Sequence, residues 1–495
     1  MAQARFRTYS PGLFCSERLM TTSAVVLAVI HVLNILAIIT VIFFQRKESS
    51  TRFAWILVLA LIPVGGFILY LFFGHDYRRR ERLEYSEAVI KEVDEYLEGQ
   101  VEHTRSLEMA DRSFPQMAHM NLINAHSPLS SDNSVRVFTN GRDKFDSLLE
   151  DLRQARNYIH LLYFIFRTDE LGREILDILS EKARAGLDVK VVYDDIGNLS
   201  ISGRAFQELR RAGGHVFRYS PLFTGLVSAN YRNHRKLAII DGRIGYIGGM
   251  NIGLEYVLGR GSLTPWRDTH LRIEGSAAGG MEAAFLPDYV YAANKKDRVD
   301  DLSAFFTQPG DRSGQTVVQV VTSEPQAGRY HLHDAYAKMI VSAKNYLYIQ
   351  TPYLVPDKTM LDNLRIALAS GVDVRIMIPL HPDKRFVWYA SIDYARFLSR
   401  LGARIYLYEG FIHSKVMMAD DQVLSVGSAN LDVRSFFLSY EANAFVFDEG
   451  LTAGQRGQFH ADMEHSRAAD EDFFKNLPAG TRFMMPLCRL FSPLL

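Results

Sequence analysis

His234, Lys236 and Asp241 stand in the order H-x-K-x-x-x-x-D, and Asn251 follows ten residues after the aspartate, just beyond Gly248-Gly249. An imidazole can attack or carry a proton near neutral pH, an ammonium supplies positive charge, and amide groups donate hydrogen bonds. Together these groups suit a tetrahedral anion such as phosphate. The set recurs as His413, Lys415 and Asp420, followed by Gly427-Ser428 and then Asn430, again ten residues past the aspartate. Chance would produce the H-x-K-x-x-x-x-D string roughly 0.03 times in a chain of this composition. Two occurrences therefore point to duplication. Two His-Lys-Asn sets facing each other across a pseudo-two-fold axis can surround one phosphate, so a single site would need both halves.

The elements that must position these groups are legible around them. Leu237 to Ile240 predicts a short buried strand, Asp241-Gly242 a tight turn, and Ile244 to Ile247 a returning strand, which makes the motif a hairpin. Alternate side chains share a strand face, so His234 and Lys236 project together, while the glycine pair lets backbone approach a ligand. The flanks repeat as well: "ARNYIHLLYFIF" resembles "AKNYLYIQTPYLV", "ARAGLDVKVVYD" resembles "LASGVDVRIMIP", and "LRRAGGHVFRY" resembles "LSRLGARIYLY". The offsets run from 179 (His234 to His413) to 189 (Leu209 to Leu398), so two copies of one domain follow each other in the same order. Apolar strands alternate with amphipathic helices such as Glu170 to Ala185 and Asp357 to Ser370, each closed by a glycine, which predicts an α/β fold with mixed or parallel sheets.

The chain has 495 residues, 48% hydrophobic and 23% charged, with zero formal net charge, so no global field draws it to nucleic acid. Only Cys15 and Cys488 are present, far apart, and no disulfide framework or zinc cluster is expected. The amino end differs in kind. Thr21 to Phe44 is nearly uncharged and, at roughly 1.5 Å per residue, is long enough for the hydrocarbon layer. A second apolar run, Phe53 to Phe73, follows a short polar loop, which argues against a cleaved signal peptide. Arg5, Arg7 and Arg18 precede the first run and Arg78, Arg79, Arg80 and Arg82 follow the second, whereas the loop holds Arg46, Lys47 and Arg52. This asymmetry predicts that both ends are cytoplasmic. His31 and Asn34 inside the first run are expected to meet a neighbouring helix. Beyond Asp76 a charged, helix-prone stretch with Tyr85, Val89, Ile90, Val93 and Leu97 reads as a stalk. The closing Phe483 to Leu495 is apolar, open both to burial against the core and to contact with a bilayer surface.

The duplicated H-x-K-x-x-x-x-D-x-x-x-x-x-x-G-[GS]-x-N resembles the phospholipase D superfamily. With its two apolar runs, "GGMNIGLEY", "WRDTHLRIEG", "TPYLVPD" and "FSPLL", the chain is similar over nearly its whole length to membrane-anchored bacterial cardiolipin synthases. The resemblance implies a duplicated phospholipase D-type α/β domain with the active site between two pseudo-two-fold related halves, behind an N-terminal transmembrane helical hairpin. The expected boundaries are an N-terminal segment (1–20), two transmembrane helices (21–74), a juxtamembrane helical linker (75–130), a first half (131–312) and a second half (313–495).

The resemblance also implies roles. One histidine attacks phosphorus to give a phosphohistidine and the other protonates the departing alkoxide. It favours His234 as nucleophile and His413 as acid/base, with the reverse assignment open. Lys236, Lys415, Asn251 and Asn430, beside Gly249 and Ser428, would hold the non-bridging oxygens. Asp241 and Asp420 match the motif aspartate, read as bracing the turn. Asp268 and Glu441 would orient the histidine of the opposite half, Asp268 with His413 and Glu441 with His234. No metal and no other cofactor is expected.

The implied activity is phosphatidyl transfer between two phosphatidylglycerol molecules at the bacterial inner membrane, giving cardiolipin and glycerol, with the catalytic domain cytoplasmic. Hydrolysis by water, or another phospholipid donor or alcohol acceptor, fits the same motifs. A superfamily nuclease would want a basic groove, which the balanced charge and the membrane anchor disfavour. His381, Asp383 and Lys384 read as a solvated loop. Oligomeric state is not legible.

Overall fold

Each repeat builds the same strand order. The computed structural model describes residues 12–43, 49–73, 91, 93–99, 114–199, 201–219, 231–293, 305, 314–325 and 330–492. The chain divides into two units, Met1–Tyr77 and Arg78–Leu495. In the larger unit the first half carries β1 (Leu129–Phe138), β2 (Tyr158–Tyr163), β3 (Asp188–Asp194), β4 (His215–Tyr219), β5 (Arg232–Asn233), β6 (Lys236–Ile240), β7 (Ile244–Gly248), β8 (Trp266–Arg267) and β9 (His270–Glu274). The second half carries β10 (Thr316–Ser323), β11 (Tyr346–Gln350), β12 (Leu354–Val355), β13 (Asp373–Pro379), β14 (Arg404–Tyr408), β15 (Phe411–Ile412), β16 (Val416–Ala419), β17 (Val423–Gly427), β18 (Leu431–Asp432), β19 (Ser439–Phe447) and β20 (Ser466–Ala468).

One continuous mixed sheet joins the halves through the antiparallel pair β1/β10. Outward from that pair, β1-β9-β7-β6-β2-β3-β4 on one side is matched by β10-β19-β17-β16-β11-β13-β14 on the other. The pairing directions match too: β2/β3 and β3/β4 are parallel, as are β11/β13 and β13/β14, and the motif hairpins β6/β7 and β16/β17 are antiparallel. A local two-fold therefore passes between β1 and β10. Strands β2, β6 and β11 are buried along their whole length, as expected for a sheet covered on both faces. The helices Glu170–Arg184 and Lys358–Ala369 are N-capped by Asp169, which accepts from the Gly172 amide at 3.1 Å, and by Asp357, which accepts from the Met360 amide at 3.2 Å. Gly186 and Gly371, at φ 94° and 86°, end their turns.

In the smaller unit α1 (Gly12–Phe43) contains a 20-residue stretch, Ala24–Phe43, apolar and long enough to cross a membrane. Its large side chains are mostly exposed, Val25 at 62% and Phe43 at 74%, which suits a lipid environment. Of the two polar residues in this stretch, Asn34 is buried and His31 is exposed. The second apolar run differs from the expected single helix: it forms α2 (Ser49–Leu61) and α3 (Pro63–Phe73) with a break at Ile62. Proline has no amide hydrogen to donate to the preceding turn, so the helix restarts at Pro63. Gly66 tolerates the bend, because a Cβ there would lie 2.5 Å from the Val58 carbonyl oxygen. Trp55 meets Tyr70 edge-on at 5.5 Å across the break.

The arginines at 78–82, Arg46 and Lys47, and the apolar residues Tyr85, Val89 and Ile90 lie outside the described residues. Residues 93–99 are helical, and Val93 joins the core of the larger unit with Leu97 packed against it. That part of the expected stalk thus belongs to the larger unit. Likewise the helix Pro115–Asn124 buries Met117 and Ala118 in the second half's core.

Candidate active site

The motif turn comes first, because it aims everything after it. Asp241 and Gly242 both have positive φ, 53° and 64°, and in the second copy Asp420 and Asp421 do the same at 54° each. Two consecutive left-handed residues match the twist of a tight hairpin. The Asp241 carboxylate accepts from the amides of Arg156, Asn157 and Tyr158 at 2.9, 2.7 and 3.0 Å, and Asp420 accepts from Lys344, Asn345 and Tyr346 at 2.7, 2.8 and 2.9 Å. Each aspartate thus ties its hairpin to the start of the neighbouring strand, β2 or β11. Both carboxylates are spent on backbone and neither bonds a motif histidine.

At the other end of the hairpin strands the two halves exchange short pieces. β5, just before His234, pairs in parallel with the start of β19, and β15, just before His413, pairs in parallel with β8. The His234 amide donates to the Tyr440 carbonyl at 2.9 Å and the His413 amide to the Arg267 carbonyl at 2.7 Å. These crossed pairings bring each histidine to the carboxylate that follows. His413 Nδ1 lies 2.7 Å from Asp268 Oδ2, and His234 Nδ1 lies 3.0 and 3.1 Å from the two oxygens of Glu441. With Nδ1 held, Nε2 of each ring is the atom free to act.

The second carboxylate is longer by one methylene, and its surroundings differ to match. A Cβ on Gly249 would fall 2.1 Å from Asp268 Oδ1, so only glycine fits behind Asp268. At the equivalent place behind Glu441 stands Ser428, whose hydroxyl donates to Glu441 Oε2 at 2.5 Å. Glycine with aspartate and serine with glutamate are two solutions to one spacing.

Lys236 and Lys415 are fully buried, and each ammonium donates to the carbonyl of the histidine two residues earlier. Asn251 is fixed, its Oδ1 accepting from the Ile165 amide at 3.1 Å and its Nδ2 donating to the Tyr256 hydroxyl at 2.6 Å. Asn430 is buried with Oδ1 unpartnered. Rings surround His413: Tyr256, Trp266 and Phe411 each have centroids at 5.8 Å, and Phe164 lies edge-on to His234 at 5.1 Å.

Concentrating basic groups in a buried cleft depresses all of them. Burial, followed by the charges of Lys236, Lys415, His413 and Lys384, holds His234 well below the usual histidine range. Burial and Lys415 bring His413 down to about 4 against the pull of Asp268. Lys236 is held well below the ordinary lysine range by burial, and Lys415 falls to about 8 for the same reason. Burial pushes Glu441 up to about 7, with Lys236 and Ser428 pulling the other way. Both imidazoles are therefore neutral near pH 7, and Lys415 carries positive charge. Among the described residues no three His, Cys, Asp or Glu side chains converge as a metal site.

Some contributors escape the motif. Arg235, between the motif His and Lys, is almost fully buried; it donates to Asp288 Oδ2 at 2.6 Å and to the Glu441 carbonyl at 3.2 Å. Arg267 bonds Asp462 at 3.1 Å and donates to the Asp268 carbonyl at 2.6 Å. Each arginine bonds the backbone of Glu441 or Asp268, and a basic residue directly beside His234 or Asp268 was the sequence signal for them. The loop read as solvated also belongs here. His381, Asp383 and Lys384 are exposed, but Asp383 accepts from the Tyr353 hydroxyl at 2.5 Å and Lys384 lies 5.0 Å from the Tyr353 ring centre. The charge of Lys384 reaches His234.

Known proteins resemble this chain in sequence and in fold. The family described as "Cardiolipin synthase, PLD-like domain" matches residues 148–259 and 336–463, and the family described as "Phospholipase_D-nuclease N-terminal" matches residues 32–75. The chain is 41% identical to the major cardiolipin synthase of Bacillus subtilis over 96% of its own length and 100% of that protein. It is 38% identical to cardiolipin synthase 1 of Staphylococcus aureus over 97% of its length and 99% of the relative. In fold it resembles a phosphatidylserine synthase of Haemophilus influenzae, with a TM-score of 0.58 at 16% identity, covering 77% of this chain and 100% of the other. By its two matched halves and its full-length relatives, the chain belongs to the phospholipase D-like cardiolipin synthase family.

Proposed function

We propose that this protein is a membrane-bound phosphatidyltransferase that converts two phosphatidylglycerol molecules into cardiolipin and glycerol. The observation that carries the mechanism is the crossed pairing of each histidine with a carboxylate of the other half. Glu441 holds the proton of His234 on Nδ1, leaving the Nε2 lone pair to attack the phosphorus of the first phosphatidylglycerol. The P–O bond to its headgroup glycerol breaks, and His413 supplies the proton that glycerol takes away. The resulting phosphatidyl group sits on His234 through a P–N bond. A headgroup hydroxyl of a second phosphatidylglycerol then gives its proton to His413 and attacks phosphorus, breaking the P–N bond. Lys236, Lys415 and the asparagines Asn251 and Asn430 offset the charge on the non-bridging oxygens in both transition states.

His413 must be protonated in the first step, yet is neutral near pH 7. A phosphodiester anion between the lysines supports its charged form, so substrate and proton enter together.

For the membrane arrangement, α1 crosses once, and α2 with α3 forms a second, proline-kinked crossing. Residues 49–73 reach about 37 Å at 1.5 Å per residue, and membrane helices tolerate such kinks. The arginine asymmetry then puts the catalytic unit on the cytoplasmic face of the inner membrane.

The test is the product. Purified full-length protein with phosphatidylglycerol vesicles should release one glycerol per cardiolipin without CDP-diacylglycerol. Phosphatidic acid as the sole lipid product would make the enzyme a hydrolase, and a strict need for CDP-diacylglycerol would reject the reaction.

A further inference from the structure

The helix Ala479–Leu490 is apolar on two sides, and packing explains only one of them. Met485 and Cys488 are buried against the helix Arg385–Arg400, and the junction is pinned by Arg489, which donates to Asp393 Oδ2 at 3.1 Å and lies 4.4 Å from the Tyr394 ring centre. Ser492 adds a hydrogen bond of 2.9 Å to the Tyr394 hydroxyl. On the other side Phe483, Leu487 and Leu490, at helical spacing, are 71%, 39% and 55% exposed. Phe386, 40% exposed, extends this surface from the neighbouring helix, in contact with Phe491 at 6.3 Å between ring centres.

Cations flank the stripe. Residues 479–490 contain two arginines and no acid, and Arg482 is exposed beside Phe483. Lys384 and Arg385, also exposed, immediately precede Phe386. Exposed apolar side chains with flanking cations are the composition of a segment lying in a lipid interface. The loop that leads into Phe386 also reaches the catalytic site: Asp383 accepts from the Tyr353 hydroxyl, and the charges of Asp383 and Lys384 act on Lys415 and His234.

We propose that Phe386, Phe483, Leu487 and Leu490 form a second membrane contact, which seats the larger unit on an anionic bilayer with its cleft facing the headgroups. The α1 stretch tethers the chain, and this face sets the orientation in which a phosphodiester at the lipid surface meets the histidines. The proposal deepens the phosphatidyltransferase reading and rests on it for the purpose of the contact, not for its existence.

The experiment places Phe483→Trp, in the full-length protein, in vesicles of phosphatidylglycerol with brominated acyl chains. The tryptophan fluorescence gained over the unaltered chain should be blue-shifted and quenched. Water-like, unquenched emission would overturn the proposal, as would cross-linking through position 483 to a second copy of the chain. Because quenching reads position and not turnover, it stays informative even if phosphatidylglycerol proves not to be the substrate. A second variant, Phe483→Gln with Leu487→Gln and Leu490→Gln, should turn over vesicle-embedded lipid about tenfold more slowly, since three apolar side chains lose their burial in lipid. It should cleave a water-soluble p-nitrophenyl phosphodiester at the unaltered rate. Equal loss on both substrates, or no loss on vesicles, would count against the contact.

Discussion

His413 and Asp268 are 145 positions apart in the chain and 2.7 Å apart at Nδ1 and Oδ2. The carboxylate belongs to the first half and the imidazole to the second, so neither half alone holds an oriented histidine. Asp268→Asn keeps the shape but removes the acceptor that holds the proton on Nδ1. Turnover of phosphatidylglycerol should fall by about 10²- to 10⁴-fold, as when a triad acid is neutralised. The temperature of half-inactivation should stay within a few degrees of the unaltered protein. A large loss of thermal stability with normal turnover per folded molecule would reassign Asp268 to structure.

The pH profile follows from Glu441 and Lys415. Below about pH 7 Glu441 is protonated and no longer accepts from His234 Nδ1, so the attacking tautomer is lost. Above about pH 8 Lys415 loses its positive charge. In the complex, where the bound phosphodiester keeps His413 charged, kcat should therefore rise through about pH 7 and fall beyond about pH 8. In Glu441→Gln the acid limb should disappear from a much lower profile. An unchanged acid limb in that variant would show that another group sets it.

Asp241 and Asp420 should affect stability before chemistry. Each binds three backbone amides, and a hydrogen bond to a charged group is worth about 1.5–3 kcal/mol. Asn tolerates positive φ, so Asp241→Asn should cost about 2 kcal/mol, the charge-assisted part alone. Asp241→Ala should cost more. Thermal inactivation measured beside kcat separates the two effects; a large kcat loss at unchanged stability would place the carboxylate in the reaction.

Much of this was legible in the sequence, and what escaped did so for physical reasons. The histidine–carboxylate pairs were accessible through the resemblance to the phospholipase D superfamily, which implies that the acid after each asparagine orients the histidine of the opposite half. The Asp-Gly turn pointed to the first hairpin, whereas Asp420-Asp421 takes the same conformation without glycine. The break at Ile62 was written in Pro63 but hidden by an apolar run that satisfies the length of a single span. Arg235 and Arg267 were missed because buried arginines are recognised by their partners, Asp288 and Asp462, which lie 53 and 195 positions away. Lys384 looked solvated and is exposed, yet its charge acts across the halves on His234.

Topology is open to direct labelling. Reporter fusions after Arg82 should be active as cytoplasmic reporters, and a tag between Glu48 and Thr51 should be reached from outside the cell membrane. The opposite labelling pattern would invert the orientation. A cytoplasmic tag at 48–51 with cytoplasmic fusions after Arg82 would mean that neither apolar run crosses.

The most direct test of the shared site is to trap its intermediate. With phosphatidyl-p-nitrophenol labelled at phosphorus, His413→Ala should accumulate an acid-labile, base-stable phosphohistidine, since the group that activates the second alcohol is gone. A p-nitrophenol leaving group would supply the first step without help from the missing acid. Peptide mapping by mass spectrometry should place the label on His234, and Glu441→Gln should slow its formation. Label on His413 in His234→Ala would exchange the roles, and turnover by the unaltered enzyme with no label in either variant would contradict the covalent mechanism.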